Sequence, residues 1–150
     1  MSQVVLLDSD PLGMVTNPKA SSIEVQECKL WFNTLSQRNY TVMLPEITDY
    51  EVRRELLRVG KIKSIRRLDR LKLQIPCLSL TTETILLAAQ LWPEARLRGR
   101  PTVEPSALDG DVILAAQAIL IENEGYEVVI ATTNVGHLSQ FIDAQEWGAI

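Results

Sequence analysis

Asp8, Glu51, Asp111 and Asn134 are the residues whose types and placement could do chemistry together in this 150-residue chain. Asp8 directly follows the apolar run 4–7. Glu51 lies early in a helix-like stretch, Asp111 opens a long Ala-rich stretch, and Asn134 follows the apolar run 128–131. Carboxylates gathered in one place repel one another unless a cation neutralises them. A bound Mg²⁺ or Mn²⁺ would polarise a phosphate oxygen and ease proton loss from a water, and the hydroxide could attack phosphorus in line. The single histidine, His137, and two distant cysteines, Cys28 and Cys77, exclude a Cys/His zinc site, so oxygen must dominate any metal set. Each residue also has a plainer reading. Asp8 could begin a turn, Glu51 could answer Thr48 in a capping box, Asp109 could be a cap, and Asp111 could serve the helix dipole. Asn134 could be a turn residue, and Asp10, Glu46 and Asp49 read as surface or turn residues. The expectation of chemistry rests on the four taken together.

The elements that would position them follow from the hydrophobic pattern. Residues 4–7 read as a buried parallel strand ending in the turn 8–13. Ser21 and Ser22 cap a helix to about residue 37. Residues 41–44 form a second strand ended by Pro45. Thr48-x-x-Glu51 starts a helix that stops at Gly60. Residues 61–73 form another helix, with Ile62, Ile65, Leu68 and Leu71 inward. A short strand over 76–80, a helix from Thr81 to about Leu97 and a loop over 99–105 come next. Ser106-x-x-Asp109 caps a helix to about Asn123. A strand over 128–131, a short helix and a last short strand near 147–150 close the chain. Strands alternating with helices predict an α/β fold with a mostly parallel sheet of four to five short strands between helical layers, in one domain over 1–150. Functional groups in such sheets collect at the C-terminal ends of the strands, where these acids would fall.

Composition narrows the field. Apolar residues make up 46% and charged residues 23%, with mean hydropathy +0.04, as in ordinary globular domains. No run could span a membrane, and residues 1–8 lack the pattern of a signal peptide, which predicts a cytoplasmic protein. The two cysteines sit among apolar residues and read as core. Net charge is −4, yet nine of the fifteen cations fall between Arg53 and Lys72, and none follows Arg100. Such asymmetry suits a polyanion on one face.

The motifs together resemble the PIN-domain family, above all the VapC-type toxins of bacterial toxin–antitoxin pairs. Val4-Val5-Leu6-Leu7-Asp8-Ser9 looks like its first strand and acid. Thr48-Asp49-Tyr50-Glu51-Val52 looks like its T-x-x-E-L helix start, which selects Glu51 over Glu46 and Glu55. Residues 111–118 look like its D-x-x-I-A-A-x-A helix, and Ile130-Ala131-Thr132-Thr133-Asn134 looks like its strand end. The resemblance spans nearly the whole chain and implies a three-layer PIN-like sandwich with metal-dependent endoribonuclease activity. It makes Asp8, Glu51 and Asp111 the metal-binding acids and gives Asn134 the fourth position, where many relatives carry Asp. Ser9 and Thr132 would orient the acids or a water, with Asp109 in support. A neutral amide at position 134 predicts weaker metal binding, and His137 where a further acid is usual leaves open whether a second metal binds. The same resemblance implies an RNA substrate, Arg53, Arg54 and Arg58 as receivers of its backbone, a small antitoxin as partner, and a homodimer. Aromatic residues, at 5%, are too few for a base-stacking platform.

Two rivals differ in class. Asp8-x-Asp10 after an apolar strand also matches a haloacid-dehalogenase-like phosphatase, but the later strand ends in Thr-Thr-Asn without the acids that chemistry needs. A PIN fold without catalysis, serving as an RNA- or partner-binding module, would fit Asn134 and His137.

Overall fold

The computed structural model describes residues 3–19, 22–98 and 105–150, with the side chains of 98 and 105–107 left aside. The expected Ser21 cap, the loop 99–104 and the side chains of Arg98, Arg100 and Ser106 therefore lie outside the description. Strand β1 (Gln3–Leu7) leads into α1 (Ser9–Thr16) and α2 (Ile23–Thr34). Then come β2 (Tyr40–Pro45), α3 (Glu46–Val59), α4 (Ile62–Gln74) and β3 (Cys77–Leu78). Helices α5 (Thr82–Arg98) and α6 (Pro105–Asn123) precede β4 (Glu127–Thr132), α7 (Val135–Leu138) and β5 (Ala144–Glu146). The strands form one sheet in the order β3-β2-β1-β4-β5, every pair parallel.

β1 is central and buried on both faces, and its alternation divides the core. Val4 and Leu6 face Leu114, Ala118 and Ile121 of α6, together with Ile130 and Leu138. Val5 and Leu7 face Leu12, Cys28, Trp31, Val52 and Leu68 of the first four helices. Two-residue periodicity on a strand covered from both sides requires this continuous apolar sequence. Helix α6 has apolar residues on two faces because it serves two partners, the sheet through Leu114 and Ala118 and α5 through Val112 and Ala116.

Several expected boundaries move, each for a physical reason. Residues 9–16 form a helix where a turn was expected. Asp8 caps it, accepting from Ser9 N, and Pro11 falls in the first turn, where a missing N–H costs nothing. Helix α3 begins at Glu46 behind Pro45, not at a Thr48 cap, so Thr48 is fully buried within it and Glu51 falls in its second turn. Asp49 is buried rather than superficial: it accepts from Arg53 Nε (3.0 Å) and Lys72 Nζ (2.8 Å), pinning α3 to α4. Ile62 faces solvent at 61% exposure, while Leu68 and Leu71 face inward as expected. Cys77 is exposed, since β3 is a two-residue edge strand; Cys28 is buried. The last strand is Ala144–Glu146, and Trp147–Ala149 is a 3₁₀ turn. Gly60, at φ 73°, ends α3 in the left-handed conformation that glycine adopts without strain. No helix among the described residues is long and apolar enough to cross a membrane.

Candidate metal centre

Connections from β1 run to the β2 side and those from β4 to the β5 side, so the C-terminal ends of β1 and β4 form the switch point of the sheet. Leu7 pairs with Ala131 there, which sets Asp8 beside Thr132. Thr132 is fully buried and donates from Oγ1 to Asp8 Oδ2 (2.8 Å) while accepting from Asn134 N (2.9 Å). Ser9 N donates to Asp8 Oδ1 (2.8 Å), and Ser9 Oγ donates to Glu51 Oε1 (3.3 Å). One short segment therefore orients two acids that lie forty-three positions apart.

The third acid arrives on α6. A Cβ at Gly110 would stand 2.5 Å from Glu51 Oε2, so the absent side chain is what lets Glu51 lie against the start of that helix, next to Asp111. Glycine inside an Ala-rich helix is the signal that could have marked this position from sequence. Asp111 Oδ2 lies 3.3 Å from His137 Nδ1, which is 3.1 Å from the Asn134 side-chain amide. Protonated, that nitrogen donates to Asp111; unprotonated, it accepts from Asn134. Asn134 thus meets His137 rather than the acids, and His137, which stands where a further acid is usual, joins the site through Asp111.

Electrostatics tie the three acids together. Burial raises the Asp8 carboxyl above its ordinary value, against the donors Thr132 and Ser9. Burial raises Glu51 as well, helped by the charges of Asp8 and Asp111, while Arg54 pulls it down. Burial first and Asp8 second push Asp111 up to about 6. Each acid has turned to a neighbouring donor, and among the described residues no three His, Cys, Asp or Glu side chains stand at coordinating distance. The donor set is hard oxygen with one imidazole, desolvated and self-repelling, which is the chemistry that a divalent cation relieves. An open cleft of about 410 Å³, lined by Ser9, Asp10 and Thr133 among others, borders this edge.

Other expected residues are placed differently. Asp109 is exposed and lines the groove between α5 and α6, apart from the acids. Asp10 accepts from Thr133 Oγ1, and Glu46 accepts from Leu80 N (3.0 Å). Arg53 pairs with Asp49 and Asp69, and Arg58 pairs with Glu55 on the surface. Arg54 stacks over Tyr50 at 5.0 Å and is the one of the three that acts on Glu51.

No family model and no curated protein matches the sequence. Solved structures do. A chain of VapBC2 from Rickettsia felis, crystallised with a DNA fragment from their promoter, matches with a TM-score of 0.69 at 15% identity, covering 97% of this chain and 99% of that one. A chain of VapBC-1 from nontypeable Haemophilus influenzae, solved at 2.2 Å, matches with a TM-score of 0.66 at 19% identity and the same coverage. The chain has the PIN-like fold. Within this PIN-like fold the acids sit at the sheet edge that the topology itself singles out, and Gln117 Nε2 donates to Leu78 O (2.7 Å), tying the helix that carries Asp111 to the edge strand.

Proposed function

We propose that the chain is a metal-dependent endoribonuclease, the toxin of a toxin–antitoxin pair. One observation carries the reading: three desolvated carboxylates from β1, α3 and α6 meet at the switch point of the sheet, where burial raises each and the charge of Asp8 raises Glu51 and Asp111 further. Asp8, Glu51 and Asp111 would hold Mg²⁺ or Mn²⁺. When bound, such an ion supplies charge neutralisation, a polarised phosphate oxygen and a more acidic water. The chain's own residues do the rest. Thr132 Oγ1 and Ser9 N fix the Asp8 carboxylate, Ser9 Oγ fixes Glu51, and His137 Nδ1 is placed to exchange a proton with Asp111 Oδ2. Arg54 stands beside Glu51, where a phosphate would come. The antitoxin and a homodimer are part of the proposal: both similar structures are VapBC complexes, and Leu30, Leu57 and Leu73 are exposed on α2, α3 and α4. Cytoplasmic action on RNA completes it.

Cleavage of an end-labelled structured RNA tests the reading. Cutting with Mg²⁺ or Mn²⁺ is expected to stop in EDTA and to fall at least a thousandfold in Asp8→Asn and Asp111→Asn. The place of Asn134 and His137 beside Asp111 favours a second reading, a non-cleaving RNA-binding module. Tight RNA binding by a folded wild type that never cuts with either metal would select it.

A further inference from the structure

The structure separates the cations of the basic stretch into those with acidic partners and those without. Arg53 and Lys72 share Asp49, Arg53 also holds Asp69, and Arg58 holds Glu55. Arg67 and Arg70, one turn apart and exposed on α4, pair with no acid among the described residues. Both line an open cleft of about 320 Å³ between α1, α2 and α4, and Lys29 of α2 lines it with them. No acidic side chain stands on its walls; Val15, Thr16 and Phe32 supply the surface between the cations. Lys29 is held in place, because its Nζ donates to Asn17 O at the C-terminal cap of α1.

We propose that this cleft is a phosphate-binding site that grips the RNA strand away from the carboxylates, an inference that rests on the ribonuclease reading. Three cations facing one cleft without a counter-charge repel one another, and a bound anion relieves that repulsion. Two guanidinium forks match the paired oxygens of a phosphodiester, and Lys29 adds a point charge. Helix α1 runs from Ser9, in the acidic site, to Thr16, in the cleft wall. Seven residues of helix span about 10 Å, the rise of about three stacked nucleotides. A strand with one phosphate among the acids therefore has the reach to set the phosphate of a nearby nucleotide in the cleft. That continuity favours a nucleic-acid backbone over an acidic peptide.

The test is binding of a fluorescein-labelled single-stranded 12-mer RNA to the full chain in EDTA, across a KCl series, alongside cleavage with metal. The double variant Arg67→Gln/Arg70→Gln is compared with Arg38→Gln/Arg96→Gln, which changes net charge equally on other elements. Lys29→Gln is a second, single probe, and circular dichroism checks folding. The cleft variants are expected to bind about tenfold more weakly at moderate salt. The slope of log K against log salt should fall by about 1.4 for two lost phosphate contacts on a single strand. Unchanged affinity and slope in a wild type that still cuts RNA would overturn the cleft and leave the nuclease standing. If the wild type neither binds nor cuts RNA, but binds poly-glutamate through Arg67 and Arg70, both readings fall and the cleft belongs to an acidic peptide.

Discussion

Replacing Asp111 by Asn should make the metal-free protein more stable and the metal-loaded protein less responsive. Burial and the Asp8 charge raise the Asp111 carboxyl from 3.8 to about 6. Keeping it ionised in the fold at pH 7.5 then costs about 3 kcal/mol relative to the unfolded chain. The sign follows from proton counting. Between about pH 4 and 6 the folded state binds more protons than the unfolded one, so stability falls as pH rises through that window and stays reduced above it. Asn keeps the shape and removes the charge. Part of the gain is lost with the His137 contact and with the fifth of the side chain that solvent already screens, leaving about 1–2 kcal/mol. For a chain of this length that is a rise in Tm of about 2–8 °C in EDTA at pH 7.5, shrinking towards nothing at pH 4. A ligand that binds only the folded state stabilises by RT ln(1 + [L]/Kd), so millimolar Mn²⁺ should raise the wild-type Tm and leave the variant nearly unmoved. Scanning calorimetry at pH 4, 5.5 and 7.5, with EDTA or Mn²⁺, measures all of this. A variant that melts below wild type in EDTA at pH 7.5, with equal metal shifts in both proteins, would show that Asp111 serves its ion pair with His137 and not a metal.

Two further substitutions test how the acids are positioned. Gly110→Ala puts a methyl group where Glu51 Oε2 lies. Stability should hold or rise by up to about 1 kcal/mol from helix propensity, while the Mn²⁺-dependent Tm shift shrinks and cleavage falls about tenfold. Thr132→Val removes the buried hydroxyl that links Asn134 N to Asp8. It should cost about 1–3 kcal/mol in urea unfolding, and Thr132→Ser should restore most of both stability and cleavage.

The sheet was legible from sequence because buried parallel strands read as bare apolar runs, and Asp8 was legible because it ends one. The first helix was not, since Ser9, Asp10, Pro11 and Gly13 are turn formers taken singly and become a helix start only once Asp8 is seen as its cap. Thr48-x-x-Glu51 satisfied a capping pattern by coincidence: Pro45 had already set the entry, and the next acid, Asp49, was spent on Arg53 and Lys72 across a helix pair. Spacing cannot reveal that kind of pairing, nor the acids that Arg53 and Arg58 meet. Nor could it show that His137, one turn past Asn134, would reach Asp111 on another element.

Asp8 and the hydroxyl that orients it lie 124 residues apart in the chain and meet only across the β1–β4 pairing. During synthesis Asp8 and Glu51 are made long before that partner strand, and long-range parallel pairing is among the slowest steps of folding. A chain halted before Thr132 would carry every acid of the centre with its first acid unaligned. The order of the elements therefore acts as a timer, under which the carboxylate centre stays unassembled until β4 has been translated and docked.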